Sequence, residues 1–245
     1  MDRMLYVAMS GASETLLAQG ANSNNLANAS TTGFLSDLQQ FRSMPVFGEG
    51  FPTRVYAMTE RPDIDFTRGS IQSTGRDLDV AVRGKGWIAV QAKDGSEALT
   101  RAGDLQIDVN GLLLTGTGLP VMGNSGPIAL PPAEKIEIGA DGTISVRSLG
   151  QAANALAIVD RIKLVTPPVS ELQKGQDGLM RLKSGLSAEP DADARLTTGT
   201  LESSNVNTVK SLVDMIELAR RFEMQVKMMK TAEEMDSASA TLLRI

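Results

Sequence analysis

Apolar residues recur at regular intervals near the start of the chain. They are separated by alternating steps of four and three residues, and five of the seven positions are apolar. Such spacing places one stripe along a helix and is typical of helices that pack against another helix. It predicts an N-terminal helix ending near residues 28–32, where Ser, Thr and Gly33 cluster. The stripe consists of Leu5, Met9, Ala12, Leu16, Gln19, Ser23 and Leu26.

A second stripe of the same kind predicts a longer C-terminal helix. Four polar residues that can cap a helix, Ser203, Ser204, Asn205 and Asn207, lie just before it. A helix over residues 207–243 would be roughly 55 Å long at the helical rise per residue. That length favours a helix that projects from the rest of the protein. The stripe consists of Leu212, Met215, Ala219, Phe222, Val226 and Met229.

Glycine and proline are concentrated between these two stripes. All 10 prolines lie between Pro45 and Pro190, and 20 of the 23 glycines lie between Gly48 and Gly199. Because both residues interrupt helices and form turns, the middle of the chain is predicted to be rich in turns. The dipeptides Asp94-Gly95, Asn110-Gly111 and Asp141-Gly142 separate short apolar runs, which indicates antiparallel hairpins. Further strands are predicted at residues 78–82, at residues 87–90 and within residues 156–165.

These patterns predict an α+β fold. The two terminal helices would form a layer separate from a mainly antiparallel β middle that has its own strands. The apolar stripes could cover each other or the sheet, or they could pack between subunits. Packing between subunits is favoured because the C-terminal helix is the longer one and both helices flank a body with its own strands.

Composition removes several classes of function. There are no cysteines and no histidines, so disulfides, thiolate metal sites and histidine-based nucleophile pairs are excluded. The net charge of -5 argues against nucleic-acid binding, which needs a basic surface. An acid–base site using Asp77 and Asp79 is a less favoured alternative. We expect no catalytic site, no metal and no cofactor.

The sequence also predicts no direct contact with lipid. The apolar stretch of residues 4–9 is too short for the core of a signal peptide, and no segment has the length of a membrane span. A soluble protein, or one exported without a cleaved signal peptide, is expected.

Three separated motifs resemble the bacterial flagellar rod and hook protein family. Residues 24–34, Asn-Asn-Leu-Ala-Asn-Ala-Ser-Thr-Thr-Gly-Phe, are similar to the family's N-terminal signature, and residues 201–207, Leu-Glu-Ser-Ser-Asn-Val-Asn, resemble its second signature. Residues 69–71, 74–82, 100–105 and 126–128 add matches in the middle. Residues 1–12 are most similar to the proximal-rod members. The short stretch of residues 34–65 also favours these over the distal-rod alternative, which usually has a longer one.

The resemblance implies a fold and a structural role. The terminal helices would pair as a coiled-coil-like domain of residues 1–35 and 203–245, and residues 36–202 would form a β-rich outer domain with connecting segments. The subunit would pass unfolded through the flagellar type III export apparatus. It would then assemble in the periplasm with copies of itself and other rod proteins into the hollow shaft that carries torque from motor to hook. Alternatives are a secreted enzyme acting on the cell wall and a stand-alone coiled-coil adaptor. The residues predicted to form the assembly interface are Leu5, Met9, Leu16, Asn24, Asn25, Leu26, Asn28, Gly33, Phe34, Asn205, Asn207, Leu212, Met215, Ile216, Phe222, Val226 and Met229.

Overall fold

The N-terminal helix ends where the sequence predicts. In the computed structural model, which describes residues 4–45, 55–148, 150 and 156–242, helix α1 spans Met4–Ala27. The backbone N–H of Asn28 still donates to the carbonyl of Asn24 at 3.1 Å, and turns follow. Gly33 then adopts a φ of 66°, a conformation that glycine reaches without steric cost.

The C-terminal helix is one uninterrupted element. Helix α2 spans Thr208–Leu242, which corresponds to about 52 Å. The side-chain Oδ1 of Asn207 accepts a hydrogen bond from the backbone N–H of Lys210 at 3.0 Å and caps the first turn. The prediction of a long helix with a polar cap is therefore confirmed up to Leu242, and Leu243 lies outside the described residues.

The two helices pack against each other through small side chains. The amide of Asn22 donates to the carbonyl of Ser211 at 2.7 Å, and Gly11 lies against the side chain of Gln225, so the helices run antiparallel. A Cβ at Gly11 would overlap the Gln225 amide, which shows how closely the helices approach. The buried residues of α1 are Ala8, Gly11, Ala12, Thr15, Ala18 and Asn25, and those of α2 are Ser211, Leu218 and Ala232.

A β hairpin packs beside α1. Strands β1 (Asp37–Pro45) and β2 (Val55–Ile64) pair antiparallel, with an irregularity in register between Leu38 and Gln40. The hydroxyl of Ser10 donates to the carbonyl of Ala57 at 3.1 Å. The sequence placed this stretch within the predicted domain of residues 36–202, and neither of these two strands was predicted individually.

The chain forms two compact units. The helical unit comprises Met1–Ala29, Leu35–Phe66 and Val206–Ile245, and the β unit comprises Ser30–Phe34 and Thr67–Asn205. The helical unit therefore includes the hairpin segment in addition to both termini. The chain passes from one unit to the other four times.

The β unit is built from antiparallel strands, as predicted. Its strands are β3 (Ile71–Ser73), β4 (Val80–Arg83), β5 (Trp87–Gln91), β6 (Glu97–Thr100), β7 (Leu105–Ile107), β8 (Leu113–Thr115), β9 (Ala133–Ile138), β10 (Thr143–Ser148), β11 (Ala157–Arg161), β12 (Leu164–Val165), β13 (Leu172–Lys174), β14 (Met180–Leu182), β15 (Arg195–Thr198) and β16 (Thr200–Glu202). A 3₁₀ turn spans Val169–Glu171. One sheet has the order β12-β5-β6-β14-β13 and a second has the order β11-β10-β9, and the remaining strands form the pairs β15-β4, β16-β3 and β7-β8.

All three predicted hairpin turns are present. Gly95, Gly111 and Gly142 have φ values of 84°, 81° and 87°, and they connect β5 to β6, β7 to β8 and β9 to β10. The single strand expected within residues 156–165 is instead divided into β11 and β12, which belong to different sheets. The core beneath these strands is aliphatic, and its most deeply buried large side chains include Ile88, Leu105, Leu113, Ile128 and Ile144.

Candidate assembly surface

Three large residues of the predicted α1 stripe face solvent in this chain, whereas its Ala12 is buried. Leu5, Met9 and Leu16 are 42%, 54% and 51% exposed, and Tyr6 and Leu17 beside them are exposed as well. The helix buries a neighbouring face of small residues instead. Small side chains allow the helix axes to come close together, and this close contact leaves the larger side chains on the outside.

The apolar residues of α2 that were predicted to form the assembly interface are divided between two environments. Leu212, Ile216 and Val226 are exposed, whereas Met215, Phe222 and Met229 are half-buried. Both helices therefore present large apolar side chains to solvent along their length. Large exposed apolar patches are characteristic of sites where another protein binds.

The asparagines of the N-terminal signature have local roles. Asn25 is buried, its Nδ2 donates to the carbonyl of Asp37 at 2.9 Å, and its Oδ1 accepts from the Asp37 N–H at 2.8 Å. This pair of bonds fixes the start of β1 beside the end of α1. The side-chain amide of Asn28 donates a hydrogen bond to the carbonyl of Asn24. Asn24 is exposed, and Leu26 is half-buried. These amides satisfy backbone groups at a helix end, as their type suggests.

Gly33 and Phe34 lie in the β unit. The Gly33 N–H donates to the carbonyl of Glu202 at 2.8 Å, and a Cβ on Gly33 would overlap the backbone of Arg101. The Phe34 ring is covered by the ammonium of Lys174, whose Nζ lies 4.2 Å from the ring centroid. The N-terminal signature thus continues from α1 into the other compact unit, where its last residues are held.

The second signature is held against the first. The backbone N–H of Asn205 donates to the carbonyl of Phe34 at 3.2 Å, and its side-chain Nδ2 donates to the carbonyl of Thr67 at 2.9 Å. Two residues further on, Asn207 caps α2. The side chain of Asn205 therefore donates a hydrogen bond to neighbouring backbone, whereas the side chain of Asn207 accepts one.

A buried ion pair lies behind these contacts, and the sequence analysis did not single it out. Arg101 and Glu202 pair in the interior of the β unit, and Arg101 also donates to the carbonyl of Gly84 at 3.0 Å and lies over the Trp87 ring. Burial lowers the pKa of the Arg101 guanidinium, while Glu202 opposes that shift. Both residues belong to motifs noted in the sequence, but nothing local indicates that motifs so far apart in the chain meet.

The carboxylates considered for acid–base chemistry have separate environments. Asp77 is exposed. Asp79 is buried and accepts hydrogen bonds from Thr74 Oγ1 at 2.7 Å and from Arg76 Nη1 at 3.3 Å. Its bridge partner Asp104 has a pKa raised mainly by burial and further by the charge of Asp79. The Oδ1 atom of Asp104 has no hydrogen-bond partner among the described residues.

Two searches of the described ranges, 4–45, 55–148, 150 and 156–242, bear on ligands and membranes. Within them, Asp and Glu side chains form no cluster of three or more that could hold a metal ion. No helix in the same ranges has the length and apolar character needed to cross a membrane.

Three protein-family models match successive parts of the chain. "Flagella basal body rod protein" matches residues 5–34, "Flagellar hook protein FlgE/F/G D1 domain" matches residues 81–146, and "Flagellar basal body rod FlgEFG protein C-terminal" matches residues 197–242. These ranges include the whole of both signatures. They also contain Arg101 and Glu202, in different family models.

Curated relatives match over nearly the whole chain. The flagellar basal-body rod protein FlgF of Escherichia coli is 46% identical over 240 residues, covering 96% of this chain and 95% of that protein. FlgF of Salmonella typhimurium is 43% identical over 249 residues, covering 99% of each chain. FlgF of Caulobacter vibrioides is 32% identical over 251 residues, covering 99% of this chain and 98% of that protein.

Proposed function

Because the chain belongs to the FlgF family of flagellar basal-body rod proteins, we propose that it is a structural subunit of the proximal part of the bacterial flagellar rod. It assembles with copies of itself and with other axial proteins into the hollow shaft that carries torque from motor to hook. The observation that carries this proposal is the exposed apolar surface on both terminal helices of a chain with full-length FlgF relatives. The role requires no reaction, so the chain acts as a building block rather than as an enzyme.

The exposed helix surfaces are the contacts that such a shaft needs. Subunits on a helical lattice contact their neighbours through different surfaces on opposite sides, so each subunit must carry more than one adhesive face. Leu5, Met9 and Leu16 supply one face on α1, and Leu212, Ile216 and Val226 supply another on α2. In the assembled rod these side chains leave water, and the helices pack as coiled coils with those of neighbouring subunits.

The same proposal covers the route and the location of the protein. The subunit crosses the flagellar type III export apparatus as an unfolded chain, without a cleaved signal peptide, and folds into the rod in the periplasm. The sequence supports this route because it contains no cysteine, so no disulfide can form before or during passage. The intact mass of the chain recovered from purified basal bodies tests it, because a cleaved segment would lower that mass.

Deletion of the gene in its own bacterium tests the structural role. We expect cells that do not swim in soft agar and that lack complete rods in electron micrographs of isolated basal bodies. The wild-type gene restores both. Asp77→Asn is the matched control, because an exposed carboxylate has no part in a structural role and the variant restores motility fully. A deletion strain that swims with complete basal bodies would overturn the proposal.

A further inference from the structure

The chain passes between its two compact units at four places. Asn205 lies at one of these places and is hydrogen-bonded to residues at two others. The passages fall after residues 29, 34, 66 and 205. Phe34 is the last residue before the second passage, Thr67 is the first after the third, and Asn205 is the last before the fourth. Asn205 donates its backbone N–H to the Phe34 carbonyl and its side-chain amide to the Thr67 carbonyl. One asparagine therefore ties together three of the four connecting segments.

Two of the segments that meet at Asn205 are held in the β unit by strand pairing. Residues 67–73 and 200–205 form one antiparallel ribbon: β3 pairs with β16, the Ser203 N–H donates to the Ser70 carbonyl at 2.9 Å, and the two serine hydroxyls lie 2.9 Å apart. Gly69 lies so close to Ser203 that a Cβ there would overlap the Ser203 carbonyl. The ribbon is thus fixed in register up to Asn205.

The third segment is fixed to the same ribbon. The Gly33 N–H bonds to the carbonyl of Glu202, and the side chain of Glu202 is held by the buried guanidinium of Arg101. The ion pair therefore holds the residue that accepts the bond from Gly33. Asn205 lies three residues beyond Glu202 and adds the last bond before the chain leaves the unit.

We infer that Asn205 is a positioning residue that holds the segments at Phe34, Thr67 and Asn205 together by hydrogen bonds. We call this bonded group of three segments the joint, and we infer that it resists the separation of these segments when the subunit carries torque. This inference rests on the proposed function, because only a rod subunit carries torque. The connecting segments are covalent links between the two units, so a force that separates the ends of these segments acts on them directly. Segments that are bonded to each other share that force, whereas unbonded segments would peel from the β unit one at a time.

Asparagine-to-aspartate changes at two nearby positions test this role. Asn205→Asp removes the amide donor and places a carboxylate against the carbonyl of Thr67. Asn207→Asp is the matched control, because Asn207 uses only its oxygen as an acceptor and aspartate caps a helix equally well. Hydrogen exchange of the purified full chain, read by mass spectrometry, measures the joint directly. We expect peptides covering residues 30–35 and 203–206 to exchange about fivefold faster in Asn205→Asp, the effect of one lost hydrogen bond, and at the wild-type rate in Asn207→Asp.

Rotation of tethered cells in media of increasing viscosity measures the mechanical role. We expect Asn205→Asp cells to have normal numbers of basal bodies and to rotate normally at low load, but to stop or lose hooks at high load. Asn207→Asp cells follow the wild type at every load. If Asn205→Asp lowers the thermal midpoint enough to prevent assembly, Asn205→Ala removes the same bond without adding charge and takes its place.

Three outcomes would overturn the inference, and none of them touches the proposed function. Unchanged exchange at residues 30–35 would show that Asn205 does not hold the joint together. Faster exchange with wild-type rotation at high load would show that the joint carries no torque. Absent basal bodies with normal stability and normal exchange would assign Asn205 to a contact between subunits. The deletion strain decides the proposed function separately.

Discussion

The guanidinium of Arg101 lies against the carboxylate of Glu202, with Nη1 2.8 Å from Oε2 and 3.1 Å from Oε1. Both side chains are buried, and they come from segments far apart in the chain. Taking two charges out of water is costly, and the pair compensates for that cost only when both partners are present. The segments that contain Gly33 and Glu202 therefore depend on this contact.

Replacement of one partner of this pair is expected to destabilise the protein strongly. Glu202→Gln leaves the Arg101 charge buried without a counter-charge, and we expect the free energy of unfolding to fall by about 3–5 kcal/mol. Urea denaturation followed by circular dichroism measures the loss. The exposed pair between Lys135 and Glu137 provides the control, because solvent already screens it, and Glu137→Gln should unfold at the wild-type midpoint. Equal midpoints for the two variants would contradict the prediction.

Alanine substitutions at two glycines with nearly the same backbone conformation distinguish the stability cost of steric overlap from that of backbone strain. Gly33 and Gly75 have φ values of 66° and 70°, but of these two positions only at Gly33 would an added Cβ meet other atoms, the backbone of Arg101 and Ala102. Gly75→Ala should cost about 1–2 kcal/mol from the left-handed conformation alone. Gly33→Ala should cost clearly more, because the backbone of Arg101 must also move. Thermal denaturation of both variants decides this, and a larger loss at position 75 would refute it.

Asp104 gives the β unit a stability that depends on pH. Burial and Asp79 raise the pKa of Asp104 in the folded protein, so its ionised form weakens the fold at neutral pH, while Arg76 and the Gly116 N–H act in the opposite direction. Asp104→Asn should therefore unfold at higher urea concentration than the wild type at pH 7. That difference should shrink as the pH falls through the raised pKa of Asp104, because the wild-type carboxyl then becomes neutral too.

The control for this pH effect has the opposite sign. Arg181 lowers the pKa of Asp177, so its ionised form strengthens the fold. Asp177→Asn should be less stable than the wild type at pH 7, and the deficit should disappear as the pH falls through the lowered pKa of Asp177. Urea midpoints measured at several pH values compare the two variants. Parallel pH profiles for both would be inconsistent with the environments described.

Leu16 provides the sharpest test of the assembly surface. The side chain is 51% exposed, so Leu16→Asp should fold with a thermal midpoint close to the wild type. In the rod the same carboxylate would enter an apolar contact, so the variant should fail to restore motility or rods in the deletion strain. Val109→Asp, at a position that is 97% exposed in the β unit, makes the same chemical change and should restore both. Motility with Leu16→Asp would show that this face of α1 is not part of the assembly surface.

Local chemistry explains which parts of the fold the sequence could predict. The hairpins at Asn110-Gly111 and Asp141-Gly142 follow from turn residues that need a positive φ, and the start of α2 follows from the cap at Asn207. Within the chain, the buried faces of the helices lie about one residue away in register from the predicted stripes. Large side chains such as Leu5 and Leu16 dominate a periodicity argument, whereas the residues buried in α1 are mostly small ones such as Ala8, Gly11 and Thr15.

The contacts between distant segments were beyond local reasoning. Asn205 was predicted as part of the assembly interface, and its type suggested bonds to backbone. Its actual acceptors, the carbonyls of Phe34 and Thr67, depend on how three segments meet. The same is true of Arg101 and Glu202, because no feature near either residue identifies the other. The role of the predicted residues in contacts between subunits stays a prediction.

The antiparallel contact between α1 and α2 joins the first element of the chain to the last. Asn22 cannot reach its acceptor at Ser211 until almost the whole polypeptide is present, whereas the β unit consists largely of hairpins between near neighbours. When the chain emerges with its N-terminus first, the hairpins can therefore form early, whereas α1 cannot contact α2 until the end of the chain has emerged. We therefore expect the contact between α1 and α2 to be the last one to form in that order.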